Sequence, residues 1–265
     1  MADESTTSTV TSVFRRCVEA VKEELLIQRE SAKDKEFHFQ NWFRQRLDET
    51  GHAFDEGGRN SYPDFRMVQF AEGYEVKGLA YPGRDANFDS NSQSPTGFHN
   101  ERAIYYVFGR YPKNPDGNSY PLLDLVVCHG DFLNADHEYR HKNRNVKGFG
   151  TYGDIMIRDR KMYVVPTPFH LVDNVAHHHT LILPEEAIVG DEFADVGTLC
   201  RVESRELIVG YTFDLKRGEL TPERAPNPGA GREHRFRAWR LKDAKGPAVS
   251  LRSIDPSAIH LEGSE

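Results

Sequence analysis

Over residues 8–30 apolar side chains recur at three- and four-residue steps, at Val10, Val13, Phe14, Cys17, Val18, Val21 and Leu25. That is the period of a single helix face, so the spacing predicts an amphipathic helix. A second run, residues 33–50, carries Phe37, Gln40, Asn41, Phe43, Arg44 and Leu47 at similar spacing and ends at Gly51, a residue suited to the turn after a helix. The two helices are expected to pack as a pair. After Gly57 and Gly58 the period shortens to two. Residues 64–70 (DFRMVQF) and 73–79 (GYEVKGL) alternate in polarity around a turn at 71–73, which predicts a β-hairpin. Residues 81–100 are polar without a period and read as a loop, long enough to suggest a functional one.

Residues 102–111 and 120–132 are nearly continuous in aromatic and β-branched side chains, the pattern of central strands covered on both faces. Residues 135–152 are polar and basic. Residues 154–157 and 162–165 form a second expected hairpin, turning at Asp159 and Arg160. Beyond Val175 come short expected strands at 180–183, 188–189 and 207–213, a linker-like loop at 222–231, and a last strand at 236–241. The fold class expected is α/β: a mixed central β-sheet flanked by helices, with a β-rich C-terminal part. A weak boundary near Val175 divides 1–175 from 176–265, with one domain over the whole length as the alternative.

Composition narrows the class. With 38% hydrophobic and 28% charged residues, the 265-residue chain has the make-up of a soluble globular protein. Its strongest apolar stretches, 122–128 and 162–166, fall far below the roughly 18 residues a membrane span requires, so no membrane partner is expected. The opening MADESTTSTV has acids where an export signal has a basic region and an apolar core, which leads to the expectation of a cytoplasmic protein. Cys17, Cys128 and Cys200 are odd in number and widely spaced, fitting reduced thiols better than disulfides or a zinc knuckle.

The formal charge is −7, which at first argues against a nucleic-acid partner. Charge is uneven along the chain, however. The window 216–245 holds nine basic residues against four acidic ones, and 139–149 adds Arg140, Lys142, Arg144 and Lys147 with no acid. Tyr139, Phe149, Phe236 and Trp239 interleave aromatic surface. Phosphate contacts depend on such local patches rather than on the net sum.

The densest chemistry lies in the first hairpin. Tyr62-Pro63-Asp64 opens one strand and Tyr74-Glu75-Val76-Lys77 forms the other. Alternation puts Glu75 and Lys77 on the same face. If Asp64 lies near the paired position, two carboxylates and an ammonium converge. Adjacent carboxylates repel unless a cation lies between them, and hard oxygen ligands select Mg²⁺. A neighbouring lysine can polarise a water or stabilise a developing phosphate charge. These are the parts of metal-assisted phosphodiester hydrolysis.

Pro63-Asp64 followed, after ten intervening positions, by Glu75-Val76-Lys77 resembles the PD-(D/E)XK nuclease superfamily, whose best-known members are type II restriction endonucleases. The resemblance spans roughly residues 33–135. It implies that Asp64 and Glu75 bind Mg²⁺ and that Lys77 assists the attacking water. It also implies a helix ahead of the hairpin, where Glu36 or Gln40 would be a further site residue, and sheet strands after it. The function implied is sequence-specific cleavage of double-stranded DNA by a homodimer, with the C-terminal part supplying a recognition or dimerisation surface. A structure-selective repair nuclease of the same superfamily is the alternative. Candidate DNA contacts are Arg84, Asn91 and Gln93 in the polar loop, and Arg140, Lys142, Arg144, Lys147, Arg235 and Arg237 in the basic segments.

Three readings compete. His137-Glu138-Tyr139-Arg140-His141 matches H-E-x-x-H, the zinc-protease pattern, but that chemistry needs a stable helix with an apolar face, and these neighbours offer little to bury. His177, His178 and His179 are consecutive, and in a strand such residues point to opposite faces rather than at one metal. A non-catalytic DNA-binding module is the third, against which all three motif side chains are present.

Overall fold

A computed structural model of the chain describes residues 8–29, 35–58, 61–83, 86–91, 94–135, 138–141, 144–147, 150–159, 162–243 and 251–253. The first helical period becomes α1 (Val10–Lys22) and the second α2 (Lys35–Glu49), which is followed by Gly51 at φ 75°. No helix among the described residues is long and apolar enough to cross a membrane.

The strands β1 (Phe54–Glu56), β2 (Phe65–Met67), β3 (Glu72–Tyr81), β4 (Phe98–His99), β5 (Arg102–Pro112), β6 (Asp124–His129), β7 (His179–Pro184), β8 (Phe193–Val202) and β9 (Glu233–Leu241) form a nine-stranded mixed sheet. Its order is β8-β9-β7-β6-β5-β3-β2-β1, with β4 paired to β5. The β3–β5 and β6–β7 pairs are parallel, and the others antiparallel. Strands from both sides of residue 175 therefore hydrogen-bond in one sheet.

Both faces are apolar, as the continuous runs of β5 and β6 require. Tyr105, Val107, Leu125, Val127, Leu181 and Leu183 face α1 and α2, meeting Phe14, Cys17, Phe39, Phe43 and Leu47. The residues between them in sequence, Ile104, Tyr106, Phe108, Val126, Cys128 and Ile182, face the other way. There the cover is not helical: Phe88 and Val165 from a small three-stranded sheet join Phe132, Leu133 and Leu171. The two long helices thus lie on one face of the mixed sheet.

Two features fix the helix side. Buried Glu72 accepts from the Thr9 amide at 3.0 Å and from the Thr9 hydroxyl, placing a carboxylate at the positive end of α1. Gly78 and Gly109 are register partners on β3 and β5, and Phe39 of α2 lies over the hollow they leave. A Cβ at Gly109 would fall 2.3 Å from Phe39 Cζ and 2.8 Å from Leu122 Cδ1. Gly109→Ala is accordingly expected to cost about 1–3 kcal/mol by overpacking, read as a lower urea midpoint at unchanged slope.

Three segments depart from the sequence expectation. Within the expected loop 81–100, Asn87–Asn91 is a strand, paired antiparallel with Met162–Pro166. Its polar side chains conceal the alternation around buried Phe88. The strand expected at 188–189 is absent, with Ile188 93% exposed, and the chain instead forms β8. The linker-like 222–231 begins inside a strand, Glu219–Pro226, that pairs with Glu206–Asp214 and is exposed along nearly all its length. The expected hairpin near 154–165 is present as Met156–Asp159 with Met162–Pro166. Cys17 and Cys128 are buried free thiols.

Candidate active site

The hairpin predicted from alternation is β2–β3, with Phe65 opposite Tyr74 and Arg66 opposite Gly73. On β3, Tyr74 and Val76 are buried against the helices, so Glu75 and Lys77 emerge on the other face, beside Tyr106 and Phe108 of β5. Gly73 lets the segment before β2 close onto β3: a Cβ there would lie 2.5 Å from Pro63 Cγ. Asp64 follows directly.

The three motif residues lie together at the hairpin, linked through backbone amides and one ion pair. The Val76 amide donates to Asp64 Oδ2 at 2.8 Å, and the Asp64 amide donates to Glu75 Oε2 at 3.3 Å. Lys77 Nζ lies 2.8 Å from Glu75 Oε1. Their side chains are 22% and 12% exposed for Lys77 and Glu75, open enough for a substrate to reach and sheltered enough for charge to act strongly. Lys77 Nζ also lies 5.9 Å from the ring centre of Phe88, on the strand hidden in the polar loop.

Two tyrosines border the group. The Tyr62 and Tyr106 hydroxyls are 2.9 Å apart. Burial, and then Tyr62 and Glu75, push the Tyr106 phenol well above its ordinary range, so it stays neutral at any working pH. Tyr62 in turn meets the His99 ring edge-on at 5.0 Å.

Two carboxylates and one ammonium leave a net negative charge, and the donor set is hard oxygen. A set of this kind suits a hard cation such as Mg²⁺, for which Asp64 and Glu75 would be the ligands. Among the described residues no group of three or more His, Cys, Asp or Glu side chains is arranged for a metal. Mg²⁺ does not require one, because it commonly binds through one or two carboxylates and keeps several waters.

The other candidates scatter. Gln40 is half-buried on α2, which packs on the sheet face opposite Glu75 and Lys77. Glu36 lies on the same helix, its side chain outside the described residues. Arg84, Gln93 and Lys142 also lie outside them. Asn91 pairs with Met162, Arg140 with Asn145, Arg144 with His141 and Lys147 with Glu138, all as strand backbone. Arg235 and Arg237 alternate with Phe236, whose face of β9 is the one carrying Glu75 and Lys77, so they point to the helix side, with three strands between β9 and β3. Arg235 Nη2 is 3.1 Å from Glu233, and Arg237 lies 3.6 Å from Asp195 and 3.8 Å from Glu185. Arg240 in the same basic window is buried and donates to the Asn174 carbonyl. The count of basic residues therefore overstates the free positive surface.

Glu138–His141 is a strand, paired antiparallel with Arg144–Lys147. His137 lies outside the described residues. The H-E-x-x-H manner of holding zinc depends on a helical turn, which the extended backbone of Glu138–His141 does not supply. His177 lies in a turn at φ 64° and His179 begins β7, so the three histidines line a loop edge.

Arg66 and Arg102 were not among the residues singled out from sequence. Arg66 stands two positions from Asp64, hence on the same face, a signal that strand alternation carries. Arg102 had no such signal. Its Nη1 donates to the carbonyls of Met67 at 2.6 Å and Phe70 at 2.9 Å, a clasp across the hairpin turn. Comparison with protein-family models, with curated proteins and with solved structures gave no match to this chain.

Proposed function

We propose that the chain is a Mg²⁺-dependent endonuclease that hydrolyses phosphodiester bonds of double-stranded DNA. In finer terms the proposal is a site-specific type II restriction endonuclease with a core of the PD-(D/E)XK kind, acting as a homodimer in the cytoplasm. The observation that carries it is the adjacency of Asp64, Glu75 and Lys77 at the β2–β3 hairpin, where the Val76 and Asp64 amides donate to the two carboxylates and Lys77 pairs with Glu75.

Asp64 and Glu75 would hold the cation, the first fixed through the Val76 amide and the second between the Asp64 amide and Lys77. When bound, Mg²⁺ supplies Lewis acidity toward a phosphate oxygen and toward water. Lys77 is placed to orient the water for in-line attack and to offset charge growing on the phosphate. Its pairing with Glu75 keeps the ammonium at the carboxylates rather than free in solvent.

The deciding experiment is incubation with varied plasmid DNA in Mg²⁺, beside an EDTA control and an Asp64→Asn variant. Discrete fragments are expected in Mg²⁺, none in EDTA, and a rate lower by about 10²–10³ in the variant. Cutting confined to branched or flapped DNA would move the reading to a repair nuclease. Cleavage that survives Asp64→Asn at the parent rate would remove the site assignment.

A further inference from the structure

Beside the carboxylates, on the same sheet face, a cleft of about 270 Å³ opens between the start of β2 and the β4–β5 turn. Tyr62 and Pro63, which lead directly into Asp64, form one wall, and Arg66, His99, Asn100 and Arg102 line the rest. Asp55 stands at its rim, exposed.

The cationic lining is built, not incidental. Arg102 is anchored through Nη1 on the carbonyls of Met67 and Phe70. His99 and Arg102 are register partners closing a two-residue turn, in which Asn100 (φ 47°) and Glu101 (φ 62°) both take the left-handed conformation, the geometry of a tight type I′ hairpin. This presents Asn100 at the cleft. Arg66 is opposite Asp55 in register, yet its Nε is buried with no hydrogen-bond partner. A buried guanidinium nitrogen left unmet is costly, and a ligand acceptor would recover that cost. Two guanidiniums, an imidazole and an amide against one exposed carboxylate form a site for an anion, and arginine forks suit phosphate oxygens.

We propose that this cleft binds a DNA backbone phosphate one nucleotide from the bond that is cut, with Arg66 as its principal contact. The identity of the ligand rests on the nuclease reading above. Asp64 and Arg66 are two strand positions apart, about 6.8 Å, comparable to one nucleotide of extended sugar-phosphate backbone. A strand lying along this face would place one phosphate at Asp64, Glu75 and Lys77 and the next at Arg66, so the cleft sets the register of the scissile bond.

The test titrates a 20-base-pair random-sequence duplex against the full chain over a range of NaCl, in a Glu75→Gln background so that no cutting disturbs binding. Adding Arg66→Gln is expected to weaken binding about tenfold and to flatten the log Kobs against log[salt] slope by about 0.9, one released phosphate contact. Arg66→Lys should keep the slope, which separates lost charge from a misfolded hairpin. Arg15→Gln, removing an exposed arginine of α1 on the helix side, should leave slope and affinity alone. An unchanged slope in folded Arg66→Gln, or equal flattening in Arg15→Gln, overturns the proposal. If the slope flattens as expected but the parent chain never cuts DNA in Mg²⁺, the phosphate site stands and the nuclease reading falls. If the parent binds no duplex, both fall.

Discussion

Glu75→Gln is expected to leave the chain folded and bound to DNA while lowering single-turnover cleavage by about a thousandfold or more, about 4 kcal/mol of transition-state stabilisation. Glu75 makes two connections at once: Oε2 accepts from the Asp64 amide at 3.3 Å, and Oε1 lies 2.8 Å from Lys77 Nζ. Glutamine keeps the length and one acceptor oxygen, so the hairpin geometry has no reason to collapse. What disappears is the negative charge, and with it half of the proposed cation site and the partner that holds the ammonium. Removing a carboxylate should leave duplex affinity unchanged or higher, because phosphate repulsion falls. Lys77→Ala should lose about 10²–10³ in rate, and Lys77→Arg should recover little, since a planar guanidinium cannot take the place of a compact ammonium beside Glu75. The double variant should be no worse than the poorer single one, because groups acting as one unit are not additive. Rapid-quench cleavage at fixed Mg²⁺ gives these rates. A Glu75→Gln enzyme within threefold of the parent would sink the assignment.

How far the sequence reaches follows from whether its signals are local. α1 and α2 were legible because Val10, Val13, Phe14, Cys17 and Val18, and then Phe43 and Leu47, repeat within a few residues. The β2–β3 hairpin was legible because both strands and the turn lie within one short stretch, so alternation alone put Glu75 and Lys77 on one face. That Asp64 joins them could only be conditional. It depends on its carboxylate accepting from the Val76 amide and on Gly73 admitting Pro63. Where strands carry polar residues on both faces, as at Asn87–Asn91 and Glu219–Pro226, no period exists to be read. The parallel β6–β7 pair joins His179–Pro184 to Asp124–His129, a contact between distant segments with no trace in either one. Arg235 and Arg237 mislead for a related reason: a charge count in sequence cannot see Glu233, Glu185 and Asp195 standing beside them.

A second large effect is expected away from the site, at Asp124. This carboxylate is fully buried and faces Arg110, its register partner across the β5–β6 pair, with Arg110 Nε 2.9 Å from Oδ1. The Arg110 guanidinium is held between the rings of Tyr81 at 4.2 Å and Phe169 at 4.4 Å. Asp124 Oδ2 also accepts from the His177 amide at 2.8 Å, which fixes the turn leading into β7. Asp124→Ala would leave a guanidinium charge buried without its counter-charge and cut that tie, so a loss of about 3–5 kcal/mol is expected. At this chain length that is about a 10 °C fall in Tm, measurable by calorimetry or circular dichroism. Replacing both partners by apolar residues of similar volume, Arg110→Met with Asp124→Leu, should restore much of the loss, because no charge is then stranded. If Asp124→Ala unfolds within about 1 kcal/mol of the parent, the pair is not what joins β5 and β6 to the turn at His177. If the double variant is as unstable as the single one, the damage lies in the lost His177 contact rather than in the stranded arginine, and the aromatic clamp by itself accommodates the charge.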